Sequence, residues 1–218
     1  MPAAAGSRLG ALSRHLEAAP AAAPEPTRLR VLVVGCGSMG TSHALGYDAL
    51  PGFEIVGLVS RGDSKAALAA QLSRPPPLFT DVAEALAATS PDVVSISTYP
   101  DTHEQFALAA FDAGCHVFLE KPIAPTVEGA ERVVAASRAA GKQLLVGYIL
   151  QVHPSWTEFI ARARGLGSPK VMRLNLNQQD KTEEKWAHHL STMDTVSPLV
   201  DCGVHCPPSL QTRPALPP

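Results

Sequence analysis

The chain has 218 residues, 45% of them hydrophobic, and carries a formal net charge of −2 at pH 7. That length suits one large domain, or one domain with part of another. The near-zero charge gives no footing for nucleic acid or an acidic membrane surface, and no apolar run reaches the length that spans a bilayer. Residues 1–27 are rich in Ala and Pro and are expected to be a disordered extension; they lack the continuous apolar core of a signal peptide, so a cytoplasmic location is expected. From Leu29 onward, short apolar runs alternate with helical patterns. Strands are expected over 30–34, 53–59, 93–97, 116–119 and 143–147. Helices are expected over 41–50, 65–72, from Asp81 to about Thr89, from Asp101 to near Gly114, from Thr126 to Gly141, and from Pro154 to about Arg164. Asp81-x-x-Glu84 and Asp101-x-x-Glu104 both have the spacing of a capping box. Residues 170–177 alternate with period two, as a half-buried antiparallel strand does. Residues 207–218 are dense in proline and are expected to be unstructured.

This alternation predicts an α/β fold: a doubly wound parallel sheet over 28–148, covered on both faces, followed over 149–206 by the start of a second, α+β domain. Ligands of such sheets bind beyond the carboxyl ends of the strands. That edge is expected to include Gly35, Gly37, Ser38, Met39 and Gly40, then Ser60 and Arg61, then Thr98, Pro100 and His103, and finally Glu120 and Lys121.

The first of these segments, Gly35-x-Gly37-x-x-Gly40 between a strand and a helix, has the order a dinucleotide-binding turn requires. Gly35 lets the chain leave the strand sharply. Gly37 has no Cβ, so a pyrophosphate can approach the backbone, and Gly40 lets helix and strand pack closely. The phosphates would sit at a helix N-terminus, where unpaired N–H groups and the dipole favour negative charge. Arg61, at the end of the second strand, suits the 2′-phosphate of NADP, whereas Glu54 lies at the wrong end of that strand to hold the ribose of NAD; NADP is therefore favoured over NAD. Lys121 can polarise a reacting oxygen beside a nicotinamide, and a cis bond before Pro122 would turn it into the cleft. Asp201 and His205 share one face if that segment is helical, with His205 suited to exchange a proton near neutral pH. Four cysteines show no disulfide spacing and read as buried free thiols. Cys202-x-x-His205-Cys206 supplies too few neighbouring ligands for a metal site, so none is expected.

The succession Gly35-Cys-Gly-Ser-Met-Gly40, Tyr99-Pro-Asp-Thr-His103, Ala113-Gly-Cys-His-Val-Phe-Leu-Glu-Lys-Pro122 and Asp201-Cys-Gly-Val-His205 resembles the glucose–fructose oxidoreductase / inositol dehydrogenase family (Gfo/Idh/MocA) over about residues 28–206. The resemblance implies NAD(P)-dependent hydride transfer on a sugar, cyclitol or related hydroxyl compound. It implies Lys121 as the catalytic lysine, His205 as the acid–base residue and Asp201 as its neighbour at the hydroxyl. Glu120 would support the lysine and His103 would lie near the cofactor cleft. It also implies a homo-oligomer for a full-length relative. Two departures stand out. Gln151 occupies a position where many members carry Arg. The chain also ends shortly after His205, where members continue into a second domain, so a truncated product is expected. A catalytically silent nucleotide-binding module, and a like sheet that binds no dinucleotide, are the alternatives.

Overall fold

The computed structural model describes residues 28–166. Six strands form one parallel sheet in the order β3-β2-β1-β4-β5-β6. They are β1 (Leu29–Val34), β2 (Phe53–Val59), β3 (Leu78–Phe79), β4 (Val93–Ile96), β5 (His116–Leu119) and β6 (Leu144–Val146). The helices are α1 (Ser38–Ala49), α2 (Ser64–Ala69), α3 (Val82–Thr89), α4 (Pro100–Asp112), α5 (Val127–Ala140) and α6 (Pro154–Arg164), with a 3-10 turn at Ile149–Gln151. The predicted doubly wound α/β sheet is therefore present.

The sequence of β1 explains why both faces are covered. Val31 to Val34 are all buried, and their side chains divide between two cores. Val31 and Val33 pack with Leu58, Ala44 of α1 and Leu68 of α2. Leu32 and Val34 pack with Ile96, Leu119, Leu86 of α3, Ala107 and Phe111 of α4, and Val133 of α5. Alternate residues of a strand point to opposite faces, so a run with no polar position must be buried on both. The helices change face where the chain leaves β1 for β2 on one side and has β4 on the other. That is the topological switch point of such a sheet, and the ligand crevice opens there.

The structure departs from the sequence reading in several places; α2, for one, spans Ser64–Ala69 and stops short of Leu72. The first helix begins at Ser38, not Thr41, so Gly40 lies inside its first turn. Helix propensity disfavours glycine, which pushed the predicted start past it, but packing against the strand overrides propensity here. The helix after β4 begins at Pro100, with Tyr99 as N-cap and no side-chain cap, so Asp101 is not the cap. Proline suits the first helical position because its fixed φ is already helical and its missing N–H would have no partner. Glu104 pairs instead with Arg132 of α5. The two-residue β3 gave no periodic signal. Elsewhere the caps stand as read: Asp81 accepts from the Glu84 amide at 2.8 Å, Thr126 accepts from Gly129 at 3.1 Å, and α5 stops at Gly141 with φ 63°. Residues 170–177, the proline-dense tail and the N-terminal extension lie outside the described residues.

Candidate functional site

The carboxyl ends of β2, β1, β4 and β5 lie side by side, and all four predicted segments emerge from them. At the centre, Gly35 has φ +93°, and a Cβ on it would stand 2.4 Å from the Ser97 carbonyl oxygen. A Cβ on Gly40 would stand 1.8 Å from the Gly35 carbonyl oxygen. These two glycines fold the turn against β4. Gly37 differs: among the described residues, a Cβ there would meet nothing within 4 Å. It is the N-cap of α1, no side chain caps the helix, and its first turn holds no acidic residue. Ser38 and Met39 are exposed beside it. The turn thus leaves open space in front of uncapped amides, which suits a diphosphate. Ser97 Oγ, beside the turn, is buried without a hydrogen-bond partner among the described residues.

Cys36, within the turn, is buried and is a free thiol, as is Cys115. Burial pushes the Cys36 thiol up to about 11, against the pull of the Lys65 charge, so it stays protonated and inert. Cys202 and Cys206 lie outside the described residues.

At the end of β2, Ser60 bonds Ser64 through their hydroxyls at 2.8 Å, and Lys65 Nζ donates to the carbonyls of Ser60 at 2.7 Å and Gly62 at 2.9 Å. This bracing leaves Arg61 exposed on the edge. Glu54 lies opposite Arg30 at the other end of the strand and pairs with Arg74 at 3.6 Å. The acidic residue of β2 is therefore remote from the edge, as its position in the sequence implied. After β4, Thr98 accepts from the Thr102 hydroxyl at 2.8 Å and Pro100 starts α4. Met39 and Tyr99 leave apolar surface on this edge, 44% and 45% exposed.

The end of β5 holds the most constrained group. Glu120 is 6% exposed, and His43 Nε2 donates to its Oε1 at 2.7 Å. Its Oε2 accepts from the Lys121 amide at 3.2 Å. Gly147 backs the carboxylate: a Cβ there would lie 3.1 Å from Oε1. Burial pushes this carboxyl up, but the hydrogen bonds from His43 and the Lys121 amide, with the charges of His43 and Lys121, hold it below the usual range. The Lys121–Pro122 bond is cis. Lys121 itself is half-buried and follows β5 on the same edge as the glycine turn. Sequence reasoning missed His43 and Gly147. The only local signal for His43 was its place three residues after Gly40, on the face of α1 that also carries Ala44 and Tyr47.

His103 is fully buried on α4. Its Nδ1 lies 2.7 Å from the Pro122 carbonyl and its Nε2 3.1 Å from that of Thr98. Burial lowers its pKa below 6.5, although both carbonyls and the charges of Glu120 and Asp101 oppose this. A neutral ring has one N–H, and the shorter contact assigns it to Nδ1. Unfolding would restore the ordinary pKa, so the unfolded state takes up the proton first as pH falls below 6.5. The thermal midpoint is expected to fall between pH 7 and pH 5. Imidazole 15N signals are expected to show His103 as the Nδ1–H tautomer below the pH at which an ordinary histidine protonates. A doubly protonated His103 at pH 7 would refute this.

Asp201 and His205 lie outside the described residues. Gln151 is exposed at the end of the 3-10 turn. No group of three metal-ligating side chains occurs among the described residues, and no helix there is long and apolar enough to cross a membrane. A concavity of about 550 Å³ lies elsewhere, between α5 and β6, lined by Ile123, Val134 and Leu144 among others. It shares no residue with the glycine turn, so the turn's shape and not cavity size locates the site.

Comparison with known proteins agrees with this geometry. The family model for the Gfo/Idh/MocA proteins, described as an oxidoreductase family with an NAD-binding Rossmann fold, matches residues 29–148. The chain is 38% identical over 178 residues to an inositol 2-dehydrogenase of Agrobacterium fabrum, covering 79% of this chain and 52% of that one. Among solved structures it is similar to GenD2 from gentamicin A biosynthesis in complex with NAD, with a TM-score of 0.61 and 29% identity over 67% of this chain and 42% of that one. It is also similar to a 3-ketoreductase from Actinomadura kijaniata in complex with TDP-benzene and NADP, with a TM-score of 0.57 and 25% identity, covering 62% and 43%. The chain spans about half the length of the curated relatives it matches.

Proposed function

The chain belongs to the Gfo/Idh/MocA oxidoreductase family, and from that premise we propose that it binds NADP or NAD, NADP by preference, and serves oxidation or reduction at a hydroxyl-bearing carbon of a cyclitol, sugar or related polyol. The observation that carries this is the open space in front of Gly37 at the uncapped start of α1, on the same sheet edge as Lys121. When bound, the dinucleotide supplies the hydride chemistry, for which no protein side chain is suited.

The chain's own residues bind and orient. Amides of the first turn of α1, around Ser38 and Met39, would hold the diphosphate, and Arg61 with Ser60 would take the 2′-phosphate end. Thr98 and Pro100 would border the nicotinamide half, with His103 behind them. Lys121 would donate a hydrogen bond to the substrate oxygen and stabilise negative charge on it as the proton leaves. His205 would exchange that proton, with Asp201 holding the hydroxyl, as in the family pattern. The name of the Agrobacterium relative favours an inositol-like substrate. Homo-oligomerisation belongs to the same reading.

The test is titration with NADPH and NADH, followed by quenching or energy transfer in nicotinamide fluorescence. Binding of neither at about millimolar concentration, an affinity of only about 4 kcal/mol, would defeat the reading. An Arg61→Ala change is expected to weaken NADPH by about tenfold, the loss of one charge-assisted phosphate contact, and to leave NADH within about twofold. Equal weakening of both cofactors would remove Arg61 from 2′-phosphate recognition.

A further inference from the structure

The residue before Lys121 is fastened to the helix that begins at the glycine turn. Glu120 Oε1 accepts from His43 Nε2 at 2.7 Å, and Glu120 Oε2 accepts from the backbone amide of Lys121 at 3.2 Å. One carboxylate therefore bridges α1 and the peptide of the lysine. The His43 ring is itself fixed, edge-on to Phe118 of β5 with centroids 4.7 Å apart. Burying a carboxylate to 6% exposure is costly unless it is paired, and an apolar residue would fill the same place without that cost. A buried, hydrogen-bonded glutamate makes sense where the direction of its neighbour matters. The residue after Lys121 is fixed as well, through the Pro122 carbonyl and His103.

We propose that His43 is a positioning residue for Lys121: through Glu120 it sets the lysine's backbone against the helix that faces the diphosphate. His43 has no part in the chemistry assigned above. The inference rests on Lys121 being the group that meets the substrate oxygen.

The test uses the full chain. Acetic anhydride at limiting concentration acylates lysines, and mass spectrometry reads the rate at Lys121 relative to Lys142, well below each variant's thermal midpoint so that both rates report the folded chain. His43→Leu removes the donor. His43→Asn keeps polarity but falls short of Oε1, and serves if the leucine variant does not fold. His43→Gln keeps an N–H at similar reach. The ratio is expected to change on the order of tenfold in the Leu and Asn variants, the worth of a hydrogen bond to a charged group. It is expected to return to within about twofold of the unsubstituted chain in the Gln variant, since that change restores the same bond. A plain packing role would not be rescued by glutamine. An unchanged ratio in both the Leu and Asn variants overturns the proposal. Failure of the unsubstituted chain to bind NADPH or NADH overturns the underlying reading instead, whatever the ratio does.

Discussion

Alanine at Gly40 will lower the thermal midpoint by about 10 °C and abolish dinucleotide binding, whereas alanine at Gly37 will leave the midpoint within about 1 °C and weaken binding alone. The two glycines lie in one motif, but their surroundings differ. A Cβ at position 40 would stand 1.8 Å from the Gly35 carbonyl oxygen, which is backbone and cannot swing away. The turn must open, and inserting an atom into such a contact costs about 3 kcal/mol or more. At position 37 the backbone has φ −78° and ψ −163°, which alanine adopts without strain, and its Cβ would meet nothing. Among the described residues nothing stands where that methyl would go, so its expected effect is on a ligand. Thermal unfolding and NADPH titration of both variants give the readout. If Gly37→Ala binds as tightly as the unsubstituted chain, the diphosphate does not lie against this turn.

Replacing Lys121 by alanine is expected to reduce turnover by about 10²- to 10⁴-fold while dinucleotide affinity stays within about twofold. Lys121 follows β5, two strands from the glycine turn with only β4 between. Its proposed partner is the substrate oxygen, not the phosphates. Loss of the ammonium therefore removes stabilisation of the charge that develops as the hydroxyl loses its proton, and leaves the phosphate contacts in place. The assay follows nicotinamide absorbance with inositols and other polyols, beside the fluorescence titration. Unchanged turnover in Lys121→Ala would refute the role. Binding with no turnover on any polyol by the unsubstituted chain would mark it as a nucleotide-binding module without catalysis.

The sheet was legible because its signals are local. The residues of β1 form an unbroken apolar run that only a doubly covered strand can bury, and the glycine turn is a steric requirement written in three positions. The start of α1 was misplaced because propensity and packing disagree at Gly40, and packing prevailed. The same conflict did not arise at Asp81 or Thr126, where cap chemistry and burial point the same way. The contact between His43 and Glu120 joins residues 77 positions apart, and nothing in either neighbourhood marks them as partners. Glu120 was read as a support for Lys121 from the family resemblance, with no partner named for it. Its burial, its partner on α1 and the glycine behind it are tertiary facts that no spacing along the chain encodes.

The contact between Gly147 and the Glu120 carboxylate also bears on how substitutions at these two positions combine. With a Cβ at 147 only 3.1 Å from Oε1, the missing side chain of one residue is the room occupied by the other. A larger residue at 147 would press on the acid, and a shorter acid at 120 would lose its reach to His43 on α1. The effects of substitutions at 120 and 147 are therefore expected to be non-additive, as for any two residues that share one space.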